Sequence, residues 1–263
     1  MRTFAITLGI VSLTACGLLA QTPTMSCKDQ NSGNRGSNFC EVRETTLASL
    51  ATLNVDGRQN GGISIKGANR ADILVRAMVQ AHGDTDAEAK TTGAQVIVHT
   101  SAGTVQADGP AQKNWSVSYE ILVPEKTNLS LKANNGGVAI AGIDSSIEFH
   151  SVNGGISLKN VSGNVHGDTV NGGVSINLTA ASWNGQGLDV STTNGGVSIK
   201  VPEQFSAVLD VATVNGGMKV KLPNAQVKRA EHKMNVTLGS GGPLIRIRTQ
   251  NGGVSVSGIS AAA

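Results

Sequence analysis

A chain of 263 residues with 39% hydrophobic and only 15% charged side chains, at formal charge +3, has the composition of a folded protein and not of a disordered acidic or basic tail. Thirty-three glycines against two Trp, one Tyr and four Phe argue against a helical bundle. The basic residues are dispersed, which excludes the concentrated stripe of a nucleic-acid binder, and no nucleic acid is expected as a partner.

In chain order, residues 1–20 read as an export signal: Arg2 precedes an uncharged apolar run over residues 4–20. Two processing points compete. Leu13-Thr14-Ala15-Cys16-Gly17 resembles a lipobox that would make Cys16 a lipidated first residue, whereas Ala20 before Gln21 suits an ordinary signal peptidase. Residues 21–42 form a polar segment with Cys27 and Cys40. In an exported chain such a pair reads as a disulfide, closing a loop worth ~3 kcal/mol by chain entropy. Residues 43–263 read as a single β-repeat domain. Within it, residues 45–55, 73–78, 96–99 and 115–123 have strand character. Thr85-Asp86-Ala87-Glu88 matches a capping box, which predicts one short helix over residues 86–93 ended by Gly93.

The main signal is a recurring Asn-Gly-Gly followed by alternating apolar residues. It begins at Asn60, Asn135, Asn153, Asn171, Asn194, Asn215 and Asn251, with Ser240-Gly241-Gly242 as a worn copy. A recurrence near twenty residues means stacked units. Asn and Gly tolerate positive φ, so each motif is expected to be a tight turn. Val138-Ala139-Ile140 then alternates as a strand does. Second turns are expected at Asp144-Ser145-Ser146 and Ser162-Gly163-Asn164. Longer steps, such as residues 181–188, should bulge as loops. One unit cannot bury its apolar face alone, but stacked units can, with their Asn side chains forming an amide ladder. The expected fold is all-β, a β-solenoid-like stack of repeats of about 18–23 residues; the rival is an antiparallel meander.

These residues carry a resemblance. Cys40-Glu41-Val42-Arg43-Glu44, Val55-Asp56-Gly57, the stretch from Trp115 to Glu120 with Val123-Pro124, and the serial Asn-Gly-Gly-Val-Ser units resemble the bacterial β-strand-repeat family of candidate adhesins, a domain family of unknown function. The resemblance covers residues 40–258. It implies an exported bacterial β-repeat protein and supplies no catalytic residues.

The remaining chemistry is sparse. His82, His99, His150, His166 and His232 form no close ligand pair, and His150 and His166 lie out of register with each other. The sequence has no nucleophile elbow, phosphate loop or calcium-binding β-roll repeat. A polysaccharide-cutting enzyme would need two opposed carboxylates. Asp144, Glu148, Asp168, Asp189 and Asp210 are the candidates, and no column of them is expected. We therefore read no catalytic residue, no metal and no cofactor. Trp183, in a polar loop, is the best candidate for an exposed sugar-binding aromatic, against the alternative of a loop anchor. Lys219, Lys221, Arg246 and Arg248 are read as one basic group, able to meet an anionic glycan or lipid headgroup or simply to solvate a sheet face. The expected function is a non-catalytic adhesion or binding module of the cell envelope, on the outer surface or in the periplasm. Its partner would be an envelope or extracellular protein or polysaccharide, and it would touch membrane only through lipid at Cys16. The alternatives are a periplasmic structural or envelope-stress partner and a polysaccharide-active β-helix enzyme.

Overall fold

The computed structural model describes residues 25–27, 37–111, 113–222, 228–229 and 232–259. The expected export signal, Cys16 and both expected processing points lie outside the described residues. Strands β1 (Ser37–Ala48), β2 (Thr52–Asp56), β3 (Ile63–Ala68) and β4 (Asp72–Gly83) precede helix α1 (Asp86–Gln95). After it come β5 (Ile97–His99), β6 (Thr104–Asp108), β7 (Asn114–Pro124) and β8 (Asn128–Ala133). The close-set repeats give β9 (Val138–Ala141), β10 (Asp144–Ser151), β11 (Ile156–Lys159), β12 (Ser162–Asn171) and β13 (Val174–Asn177). They continue as β14 (Gly187–Asn194), β15 (Val197–Pro202), β16 (Ala207–Asn215) and β17 (Met218–Lys221). The strands β18 (Lys228–Arg229) and β19 (Lys233–Leu238) precede β20 (Leu244–Asn251) and β21 (Val254–Ile259).

Among the described residues these strands form two sheets. The first runs β1-β4-β7-β3-β9-β11-β13-β15-β21-β17, and the second β18-β19-β16-β20-β14-β12-β10-β8-β2-β6-β5. Each coil contributes a strand to the second sheet, crosses at Asn-Gly-Gly, and contributes a short strand to the first. Successive coils pair in parallel, as Ile156↔Val174 and Ile147↔Val165 do. The fold is thus a β-solenoid-like stack; among the described residues antiparallel pairing is confined to β1, β4 and β7, to β5 with β6, and to β16, β19 and β18.

Strict alternation in these strands puts every second side chain inside. Val138, Ile156, Val174, Val197 and Val254 line one column of the first sheet, all buried. Leu129, Ile147, Val165, Leu188 and Ile245 line one column of the second. Each such residue contributes roughly 1.5–3 kcal/mol over its exposed state. A single four-residue strand gathers too few of them to fold alone. Gly167 sits in the column beside Phe149 because a Cβ there would meet the ring at 2.5 Å.

Several expectations are corrected. The Asn-Gly-Gly corners use no positive φ; the left-handed residues sit at the opposite corner, at Gly142 (φ 64°) and Asn160 (φ 49°). The second turns therefore fall just before the predicted ones, and Asp144-Ser145-Ser146 and Ser162-Gly163-Asn164 already belong to β10 and β12. Ser240-Gly241-Gly242 is no repeat copy but part of the loop joining β19 to β20. The strand expected over residues 45–55 breaks between β1 and β2. The helix forms where its cap predicts, with Thr85 Oγ1 accepting from Glu88 N at 3.2 Å. It runs through Gly93, whose bare Cα admits the Phe39 ring: a Cβ would meet that ring at 2.1 Å.

The largest departure from chain order is at the far end. The coil β20–β21 inserts between β14–β15 and β16–β17, pairing in parallel with both. The strands β18 and β19 fill the long step between Asn215 and Asn251 and extend the second sheet antiparallel from β16.

Candidate functional site

The seven Asn-Gly-Gly corners form one ridge. Asn135 Nδ2 donates to Asn60 Oδ1 at 3.1 Å, Asn153 to Asn135 at 2.8 Å, and Asn171 to Asn153 at 2.8 Å. Asn194 donates to Asn171 and Asn251 to Asn194, each at 2.8 Å, and Asn215 donates to Asn251 at 2.9 Å. Seven amides thus run unbroken in the order of the coils rather than of the chain. Beneath them lies a second ladder that the sequence reading missed. The hydroxyls of Ser151, Thr169, Thr192, Thr213 and Thr249 donate to the first-glycine carbonyl of the adjoining corner at 2.8–3.3 Å. All five residues are buried, where an unpaired hydroxyl would be costly. The signal was available: each lies two residues before its Asn. The ridge's side-chain amides and hydroxyls bond to one another and to backbone, so its role is to hold the coils together.

The outward faces differ in chemistry. On the first sheet, the outward residues of the repeats are mostly Ser and Lys. On the second sheet, one register column reads Glu148, His166, Asp189, Arg246, Asp210. No carboxylate column was expected, yet Glu148, Asp189 and Asp210 share one, because each lies five residues before its Asn. His150 and His166 stand in different columns, as their offsets require, and His150 Nδ1 lies 2.8 Å from Asp168 Oδ2. Arg246 Nη1 reaches Asp189 at 3.1 Å, and Arg248 Nη2 reaches Asp210 at 2.5 Å. Asp144 accepts from Lys126, from Ser162 Oγ at 2.7 Å and from Asn184 Nδ2 at 2.8 Å. The Lys126 and Ser162 bonds hold its carboxyl below the usual carboxylate range. Of the five candidate acids, four are therefore engaged by a cation or histidine.

The other candidates separate. The basic group is not one group: Lys219 and Lys221 lie exposed on β17 in the first sheet, and Arg246 and Arg248 on β20 in the second. Trp183 is 6% exposed and donates its indole N–H to Gly163 O at 3.0 Å. It anchors its loop to the core and offers no face to a sugar. Cys27 and Cys40 are disulfide-bonded, with Cα atoms 5.8 Å apart. This ties residue 27 to β1, and Met25 N donates to Glu120 on β7 at 3.2 Å. One cleft was not foreseen. About 350 Å³ in volume, it opens between the first corner and the loop after β6, lined by Arg58, Asp108, Lys113, Trp115 and Tyr119 among others. The Tyr119 hydroxyl is buried there without a hydrogen-bond partner, and burial pushes its pKa up, so the phenol stays neutral. Among the described residues, no three His, Cys, Asp or Glu side chains are grouped to hold a metal ion.

The family model described as Toastrack DUF4097 matches residues 43–257, most of the chain and every corner of the ridge. The chain belongs to the Toastrack DUF4097 family. Solved structures similar to this Toastrack chain include a candidate cell adhesion protein from Clostridium sporogenes, 13% identical, covering 85% of this chain and 100% of that one, with a TM-score of 0.42. A candidate adhesin from Bacteroides fragilis is 12% identical over 86% of this chain and 100% of that one, with a TM-score of 0.39. A candidate lipid-binding protein from Parabacteroides distasonis is 9% identical over 84% of this chain and 98% of that one, with a TM-score of 0.30. No curated protein matches the chain.

Proposed function

We propose that this Toastrack chain is exported and acts in the bacterial cell envelope as a non-catalytic binding module, with adhesion to an extended partner as its role. One observation carries the reading: the stack repeats the same outward position coil after coil, in straight columns that the paired amide and hydroxyl ladders hold fixed. A surface of repeated, rigidly spaced side chains suits a partner that is itself repetitive. The engagement of Asp144, Asp168, Asp189 and Asp210 supports the non-catalytic part, since a general acid and base need carboxyls free to exchange protons with substrate.

The test is protease shaving of intact cells followed by a blot for this chain. Loss of signal with a periplasmic marker preserved is the expected result and places the stack outside the cell. Full protection would overturn the adhesion role and leave a periplasmic envelope partner. Export by lipidation at Cys16 predicts incorporation of labelled fatty acid, which Cys16→Ser would abolish; incorporation unchanged in that variant would refute it.

A further inference from the structure

The outward face of the first sheet carries an ordered pattern of charge. From β3 to β17 one register column reads Lys66, Ala141, Lys159, Asn177, Lys200, Ser257, Lys221. Lysine thus stands on every second strand. Neighbouring strands lie about 4.8 Å apart, so the four ammonium groups recur every ~10 Å along the stack axis. The neighbouring outward column reads Ser64, Ala139, Ser157, Ser175, Ser198, Ser255, Lys219. None of these seven strands contains Asp or Glu. The lysines are exposed, and none makes an ion pair among the described residues. The alternation depends on the displaced coil. In chain order the position six residues after each Asn ends Lys200, Lys221, Ser257; the insertion of β20–β21 places Ser257 between the two lysines.

We propose that this face is a docking track for an acidic polysaccharide lying along the stack axis, its acid groups meeting Lys66, Lys159, Lys200 and Lys221 and its hydroxyls meeting the serine column. The proposal rests on the binding-module reading above and names its ligand class and surface. Edge protection explains Lys219 and Lys221, because β17 ends its sheet. It does not explain Lys66, Lys159 and Lys200, which lie on interior strands with no edge to guard. A glycan bearing one acid group per two sugars has charges at this spacing. Nucleic acid carries a phosphate about every 3.4 Å per strand, far denser than the lysines. A membrane surface would favour a two-dimensional basic patch with apolar side chains to enter the headgroups. This track is one lysine wide, and the large exposed hydrophobics among the described residues, Ile97 and Val214, both lie on the second sheet.

The test measures binding of the full chain to hyaluronan oligosaccharides, which carry one carboxylate per disaccharide, and to phosphatidylglycerol vesicles. The parent should bind the oligosaccharides. The variant K66Q/K159Q/K200Q/K221Q should lose affinity about tenfold, the sum of four surface ion pairs of ordinary strength. The variant K90Q/K126Q/K132Q/K233Q, with the same charge change off the track, should stay near the parent. A third variant, K66Q/A141K/N177K/K221Q, keeps the charge but crowds four lysines onto adjacent strands, and should bind more weakly than the parent. Equal loss in the off-track variant overturns the location, full binding by the crowded variant overturns the spacing, and binding to vesicles alone overturns the ligand class. Sedimentation with isolated cell envelopes separates the two levels. If the parent sediments and the first variant sediments equally, the track is wrong and the module reading stands; if the parent does not sediment, the module reading fails.

Discussion

The first glycine of each corner is set by contact between coils, and Gly172 shows how strongly. A Cβ on Gly172 would lie 2.1 Å from Gly154 O, 2.5 Å from Gly154 C and 3.0 Å from Gly155 N. These are backbone atoms and cannot swing aside. Real Cβ contacts stay beyond 3.0 Å, so Gly172→Ala must part the two corners by about 0.9 Å. That stretches Asn171 Nδ2 to Asn153 Oδ1 (2.8 Å), Thr169 Oγ1 to Gly154 O (2.9 Å) and Asn171 N to Val152 O (2.7 Å). Three bonds at about 1 kcal/mol each, with about 1–3 kcal/mol for forced repacking, give a loss of about 4–6 kcal/mol. Gly173 is the control. Its Cβ would lie 3.3 Å from Gly196 O, a contact relieved by a few tenths of an ångström. That cost is offset by the lower entropy of an unfolded alanine, about 0.4–1 kcal/mol. Urea unfolding should therefore show Gly172→Ala strongly destabilised and Gly173→Ala near the parent. Equal losses at the two positions would refute the contact argument.

Thr192→Val removes a buried hydroxyl that donates to Gly172 O at 2.8 Å. It should cost about 1–2 kcal/mol in chemical denaturation, with Thr192→Ser costing less; a serine variant as unstable as the valine one would deny the hydroxyl its role. Reducing and alkylating Cys27 and Cys40, thirteen residues apart, should lower stability by ~3 kcal/mol, read as a drop in Tm, and an unchanged Tm would contradict it. The Asp144 carboxyl, depressed by Lys126 and Ser162, makes a contribution that is present at and above the pH where a free aspartate ionises, about 3.9. That contribution fades as pH falls through the lower folded value. NMR titration should find Asp144 ionising below a free aspartate and Lys126→Gln raising it; no upward movement would dismiss the Lys126 bond as the cause.

The repeat made the stack legible because each coil repeats one pattern around its Asn. Counting from that residue places the outward acids at minus five, the buried hydroxyls at minus two and the lysines at plus six. Register is a matter of that count: the five acids differ in offset as a set, which argues against a column, yet Glu148, Asp189 and Asp210 all stand at minus five and share one. The sequence suggests a φ demand for the glycines, whereas what demands the first glycine of each corner is the neighbouring coil, which no single repeat contains. The order of the last two coils was hidden for a related reason. Val197, Met218 and Val254 present much the same apolar pattern, so pattern alone does not say which coil docks on which. The 36-residue step between Asn215 and Asn251 was the visible hint. Trp183 lies among polar neighbours in sequence, and its burial and its bond to Gly163 O depend on the adjoining coil, which the local sequence does not contain.

The displaced coil sets the order in which the chain can fold as it is made. Synthesis delivers β14 and β15 first, and their free edges then wait for partners made more than forty residues later. During that interval β16 and β17, already present and carrying a matching motif, are the nearest strands able to pair there. In the native order β20 and β21 separate them from that edge, so that later coil sits as a keystone between two coils made before it. A stack built this way is closed one coil short of its end, and β16–β17 take their native place only once β20 and β21 have been made.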